Sequence, residues 1–173
     1  MGRTGRLSRT GHLSRTGRLG RLSRRGRLLP GTLLAVLLLG AGPGGSGETV
    51  PLDGNRPGER LDVTLTRVVD PAGSAGGDRL VAVELRLENT GSVPYRDAPA
   101  AAAHLLDSQG QRFTGLTQES RAGAGLPDTV SLDPGAEVTG FVTFRVPRDA
   151  GLAAVQFALD AGLGDDVGQW SLS

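Results

Sequence analysis

Cysteine is absent from the 173 residues, and so are lysine and isoleucine. Without a thiol the chain forms no disulfide and has no thiolate nucleophile or metal ligand. Methionine occurs once, at the start, and histidine twice, at His12 and His104. Zinc and copper sites need several His, Cys or Met donors, so no such site can be assembled and no cofactor is expected. Long apolar runs are lacking too. The longest, Leu28 to Gly42, falls short of the roughly 20 residues a helix needs to cross a bilayer. No P-loop, dinucleotide fingerprint or GxSxG elbow occurs.

Acids are missing from the first 30 residues, which carry nine arginines. The rest of the chain sets ten arginines against eighteen acids, a surplus of eight negative charges. Any nucleic-acid reading therefore rests on the N-terminal segment, whose arginines lack the interleaved aromatics of single-strand binders. Residues 3–20 repeat every six, RTGRLS, RTGHLS, RTGRLG, a period that makes neither a helical stripe nor a strand face. This predicts disordered low complexity. A basic start, a short apolar middle and a small-residue end describe a secretory signal peptide. Ser23 to Leu29 resembles the twin-arginine export motif, with arginine where that motif has phenylalanine. Pro43 stands where a lipoprotein would carry its lipid-bearing cysteine. All basic residues being arginine, with Leu, Val and Ala as the main apolar types, reads as codon bias of a GC-rich, actinobacterial genome.

The chain accordingly divides into a basic leader and signal peptide (1–42), a flexible linker (43–59) and one domain (60–173). Within the domain, RLVAVELRLENTG, Arg79 to Gly91, sets Val81, Val83, Leu85 and Leu87 against Glu84, Arg86 and Glu88. A period of two marks a strand with one buried face. Leu80 and Ala82 make its first half apolar on both sides. Arg60 to Asp70, Glu137 to Val146, Val155 to Leu159 and Val167 to Leu172 alternate likewise. Phe141 breaks the pattern and predicts cover on the outer side of its strand. Ala100 to Leu106 reads as a strand paired in a hairpin with Gln111 to Thr114. Ser92 to Pro99 reads as irregular, and Gly115 to Thr129 as a long loop with a short edge strand. Asp133-Pro134-Gly135 is a type II turn signal. About seven or eight short strands with turns between them predict an all-β, immunoglobulin-like antiparallel sandwich.

The order of VAVELRLENTG with Pro94 after it, Leu105-Leu106-Asp107 with Gly110, Leu132-x-Pro134-Gly135 and Gly140-x-Val142-x-Phe144-x-Val146-Pro147 carries a resemblance. It resembles the telokin-like domain of unknown function of secreted proteins and lipoproteins of Gram-positive bacteria. The likeness spans Arg60 to Leu172 and implies a secreted immunoglobulin-like sandwich without known catalytic residues.

Residues suited to chemistry are few. His104 sits beside an alanine run and reads as a half-buried strand residue. Asp165-Asp166 lacks the spaced oxygens of a calcium loop and reads as a solvated turn. Trp170 reads as a core plug. Tyr95, in a proline-flanked loop, reads as an exposed contact, with Arg96 and Arg121 beside it on the loops that a rigid sandwich would present. The expected function is a secreted binding or surface-presenting module without catalysis, its partner an extracellular or cell-envelope protein or ligand. The rivals are a membrane-tethered version that keeps the apolar segment and an enzyme of unrecognised mechanism.

Overall fold

The computed structural model describes residues 43–44 and 47–172. The basic repeat, the twin-arginine resemblance and the apolar run of the expected signal peptide all fall within 1–42, outside the described residues.

In chain order the elements are β1 (Pro43–Gly44), β2 (Thr49–Asp53), β3 (Arg60–Ala75), β4 (Asp78–Asn89), β5 (Tyr95–Asp97), α1 (Pro99–Ala102), β6 (Ala103–Asp107), β7 (Arg112–Thr114), β8 (Val130–Leu132), β9 (Glu137–Val146), β10 (Leu152–Ala158), α2 (Leu159–Gly162) and β11 (Val167–Ser171). One sheet runs β2-β3-β4-β9, the other β1-β11-β10-β6-β7, and β5 pairs with β8 as a separate ribbon. All pairs are antiparallel except β1 with β11. The fold is the expected antiparallel β-sandwich of immunoglobulin-like type.

Alternation decides the interior. Val81, Val83, Leu85 and Leu87 of β4 are fully buried beside Val63 and Leu65 of β3. They belong to one core with Leu105, Val155, Phe157 and Trp170 of the opposite sheet. Each fully buried aliphatic or aromatic side chain contributes roughly 1.5–3 kcal/mol. Trp170 is the expected plug, and its indole Nε1 donates to the Glu48 carbonyl at 2.8 Å. Asn89 ends β4 completely buried. Its Nδ2 donates to the carbonyls of Val93 and Leu132, both at 2.9 Å, and its Oδ1 accepts from Gly91 N at 3.0 Å. A buried amide satisfied on both ends ties the strand terminus to the β5–β8 ribbon.

Three expectations change. Thr49–Asp53, read as part of a linker, is an edge strand paired with Arg60–Thr64. Its Pro51 has no N–H to offer a further strand, which suits an edge. Ala100 to Leu106 is half helix turn and half strand, because alanine and Pro99 start α1 before β6 takes over. Ser92 to Pro99 is not wholly irregular, since Tyr95–Asp97 pairs with Val130–Leu132. The hairpin of β6 with β7 and the turn at Asp133 stand as read. Ala136 N donates to Asp133 O at 2.9 Å, and Gly135 takes φ 82°.

Candidate functional site

The long loop 115–129 forms no strand; it is a clasp. It enters with Leu116 N donating to Thr143 O at 2.7 Å and leaves with Leu126 N donating to Phe141 O at 2.9 Å. Phe141 N in turn donates to Ala124 O at 3.0 Å. Both ends of the loop thus close the free edge of β9, the hazard every open sheet has to manage. Between them the chain crosses the outer face of the sheet, where Arg121 N donates to Ala72 O at 3.2 Å. Ala122 packs against Val69, Ala72, Ala82 and Phe141, a small second core outside the sandwich. The cover that Phe141 predicted is this loop. Gly140 lets it approach: a Cβ there would lie 2.9 Å from Leu126 N. Arg67 lies over the Phe141 ring, 4.9 Å from its centre, and reaches Glu84 at 3.2 Å.

Beside the clasp, β3 slips register against β4 between Val69 and Gly73. The slip opens a cleft of about 430 Å³ lined by Val69, Pro71, Ala72, Gly73, Ser74 and Arg121. A smaller, more enclosed space of about 180 Å³ lies between the clasp and β9. At one end of the sandwich a third, of about 530 Å³, is lined by residues 53–60 and 90–92.

That end also holds Tyr95, and here the sequence reading is corrected. Tyr95 is 1 % exposed, not a surface contact. Pairing with Leu132 turns its ring into the core, and its hydroxyl donates to Asp97 Oδ2 at 3.3 Å. Burial pushes the phenol far above its ordinary range, reinforced by the charges of Asp97, Glu59 and Asp160. Asp97 accepts from Ala98 N at 2.7 Å and from Ala161 N at 2.9 Å. Ala161 and Asp160 both sit at φ 55°, a left-handed turn that non-glycine residues enter at a cost. Asn55 Nδ2 steadies the turn by donating to Asp160 Oδ2 at 2.8 Å. Glu59 is buried and paired with Arg56. Sequence reasoning missed Glu59, Arg56 and Asn55, because they fall in the stretch given to a linker.

Arg96 and Arg121 are exposed, as expected, and the cleft that Arg121 lines includes neither Tyr95 nor Arg96. His104 is half-buried. Burial and the charge of Arg112 lower its pKa, against a hydrogen bond with the Ala102 backbone that raises it. No hydrogen bond joins its ring to an acid or a hydroxyl. Among the described residues, no group of three or more His, Cys, Asp or Glu could hold a metal ion. Asp166 accepts from Asp53 N at 3.0 Å, a structural use of that turn.

A family model described as a domain of unknown function, DUF4352, matches residues 60–166. The chain belongs to the DUF4352 family. The match takes in the clasp, the cleft, Tyr95 and His104, and leaves β1, β2 and β11 outside. No curated protein matches this DUF4352 chain. It is similar to the crystal structure of MPT63, a secreted protein from Mycobacterium tuberculosis, with 14 % identity and a TM-score of 0.56 over 76 % of this chain and 97 % of that one. It is also similar to the yjhA protein from Bacillus subtilis, with 16 % identity and a TM-score of 0.51 over 75 % and 99 %. At such identities the likeness speaks for the fold alone.

Proposed function

We propose that this DUF4352 chain is a secreted or cell-envelope module that binds through a presented surface and performs no catalysis. The clasp carries the reading: a loop fastened to the sheet at both ends and at Ala72 places Arg121 in the lining of a cleft. Loops on a firm scaffold are where such folds carry function. The basic-then-apolar leader and the description of MPT63 as a secreted protein support the location. The arginine-only, isoleucine-free composition supports an actinobacterial source, and the shared turn and core motifs support a telokin-like ancestry. His104, with no acid or hydroxyl in hydrogen-bond reach of its ring among the described residues, supports the reading without catalysis.

The test immobilises the full-length chain against solubilised cell envelope, next to a variant whose residues 117–124 are replaced by glycine and serine. Saturable retention of an envelope component by the wild type and its loss in the variant are expected. Equal retention by both removes the clasp as the surface. Turnover of an envelope component by the wild type but not by His104→Gln ends the non-catalytic reading. Fractionation of producing cells into supernatant and membrane pellet separates release from tethering.

A further inference from the structure

Ten arginines lie among the described residues, and eight are engaged through their side chains. Six reach carboxylates: Arg56, Arg60, Arg67, Arg79, Arg86 and Arg145. Arg112 donates to Gln156 Oε1 at 3.3 Å, and Arg148 to the Gly77 carbonyl at 2.8 Å. Arg96 and Arg121 alone have no side-chain partner. Of these two, Arg121 lines the cleft beside the clasp. Its backbone is fixed there by the bond to Ala72 O, and its neighbour Ala122 is packed into the small outer core. The guanidinium is therefore carried by a held main chain and has no protein partner.

The cleft itself has a definite character. Val69, Pro71, Ala72 and Gly73 give it an apolar wall, and Ser74 adds one hydroxyl. Two acids come near in sequence. Asp70, within the cleft's own strand, has both oxygens taken by Arg79, at 2.7 and 3.2 Å. Glu119, two residues before Arg121 on the exposed clasp, forms no ion pair with it. Arg79 is further held by the Ala150 carbonyl at 2.7 Å. The cleft thus has one charged residue in its lining, Arg121, and the acid between two of its wall residues is paired elsewhere. The volume of about 430 Å³ falls in the range of small-ligand pockets, about 300–1,000 Å³.

We infer that this cleft is a binding site for a single carboxylate carried on an aliphatic group, the carboxylate on Arg121 and the aliphatic part on Val69, Pro71 and Ala72. A planar guanidinium matches a carboxylate with two parallel hydrogen bonds. A single arginine, the one charged residue of the lining, suits a monoanion better than a phosphate dianion. The inference deepens the binding-module reading and rests on it. Two natural sources share this chemistry: the free C-terminus of a peptide ending in an aliphatic residue, and the head of a fatty acyl chain.

The experiment titrates the ¹⁵N-labelled full-length chain and follows backbone amide shifts. The probes are N-acetyl-leucine, octanoate, their neutral amides and inorganic phosphate. Saturable shifts at Ala72, Gly73, Ser74 and Ala122 are expected with one or both carboxylates. The neutral amides should bind at least about tenfold more weakly, the size of one charge-assisted contact. Arg121→Gln should erase that difference, and Arg96→Gln should preserve it. N-acetyl-leucine alone identifies a peptide C-terminus, octanoate alone an acyl chain. Equal binding of the amides, equal binding of phosphate, or no saturable shift with either carboxylate overturns the inference. Failure here with envelope retention still lost in the 117–124 variant removes the ligand class and leaves the binding module standing. Failure of both removes the surface as well.

Discussion

Two loop segments looked alike in sequence and differ in the fold. Residues 92–99 and 115–129 are both short of periodicity, and both were expected to present contacts. The first is bonded into the sandwich along its length: β5 pairs with β8, Tyr95 is buried, and Asp97 holds the turn at Ala161. The second is fastened at its ends and at Arg121 N, and most of its side chains stay in solvent. A loop becomes structure when a partner strand takes its backbone groups. It becomes a surface when only its base is taken. The contrast can be broken by loosening the first segment or by lifting the second.

The largest effect belongs to the locked segment. Tyr95→Ala removes a fully buried ring and leaves a cavity among core side chains, which costs about 3–5 kcal/mol for comparable aromatic truncations. Chemical denaturation should show the unfolding free energy fall by that amount, while Arg121→Gln changes it by less than about 0.5 kcal/mol, as exposed substitutions do. A Tyr95→Ala protein as stable as the wild type would mean that the two segments are alike after all.

Lifting the clasp comes next. At Gly140 a Cβ would stand 2.9 Å from Leu126 N and 3.1 Å from Gly125 C, backbone atoms that cannot swing aside. Gly140→Val should cost about 1–3 kcal/mol through overpacking. The loss should be local. Hydrogen exchange should quicken at Leu116 and Leu126, the loop amides bonded to β9, before the centre of β4 responds. Uniform acceleration would show that the clasp is part of the cooperative core instead of a piece laid upon it.

A third comparison uses pH. The Tyr95 phenol is raised, so the folded state keeps its proton where the unfolded chain has lost it. That stability is complete below the unfolded tyrosine pKa, about 10, and is lost as pH rises beyond it. Wild type should weaken steadily above about pH 10. Tyr95→Phe should lose the weak bond to Asp97 and show a flatter alkaline limb. Equal alkaline limbs in the two proteins would contradict the burial of the hydroxyl.

Most of the sandwich was legible because alternation records one-sided burial directly. Val83, Leu85 and Phe157 face the core, and their neighbours in sequence are polar or small. Phe141 even announced its cover, since a large apolar residue on the wrong side of a strand needs something over it. What stayed hidden depends on distant pairing. Tyr95 is buried by Leu132, 37 residues onward, and nothing local to a proline-flanked tripeptide reports that. Thr49–Asp53 hides for a related reason: Gly and Pro around it speak for a loop, while Pro51 is acceptable at an edge. The cleft comes from a register slip between Val69 and Gly73, and register is a property of two strands, not of one. Arg121 was named from its loop alone. That it is unpaired could be known only once the other arginines had found their acids.

The smallest effect concerns His104, which joins the locked segment from the opposite sheet. A Cβ on Gly162 would lie 2.9 Å from its ring carbon Cε1, so the ring sits against the same left-handed turn that Asp97 holds. Arg112, across the β6–β7 pairing, adds a like charge that opposes protonation, and burial does the same more strongly. The folded pKa is therefore below the ordinary 6.5, and the folded state binds fewer protons than the unfolded one. Stability from this group is complete above the unfolded value and declines as pH falls through it. Between about pH 7.5 and 5 the wild type should weaken slightly, by less than about 1 kcal/mol given its partial exposure. His104→Gln should lack that decline while keeping the turn in place. If the glutamine variant loses stability over the same interval just as the wild type does, carboxylates of the locked end set the acid limb, and the histidine is only a neighbour.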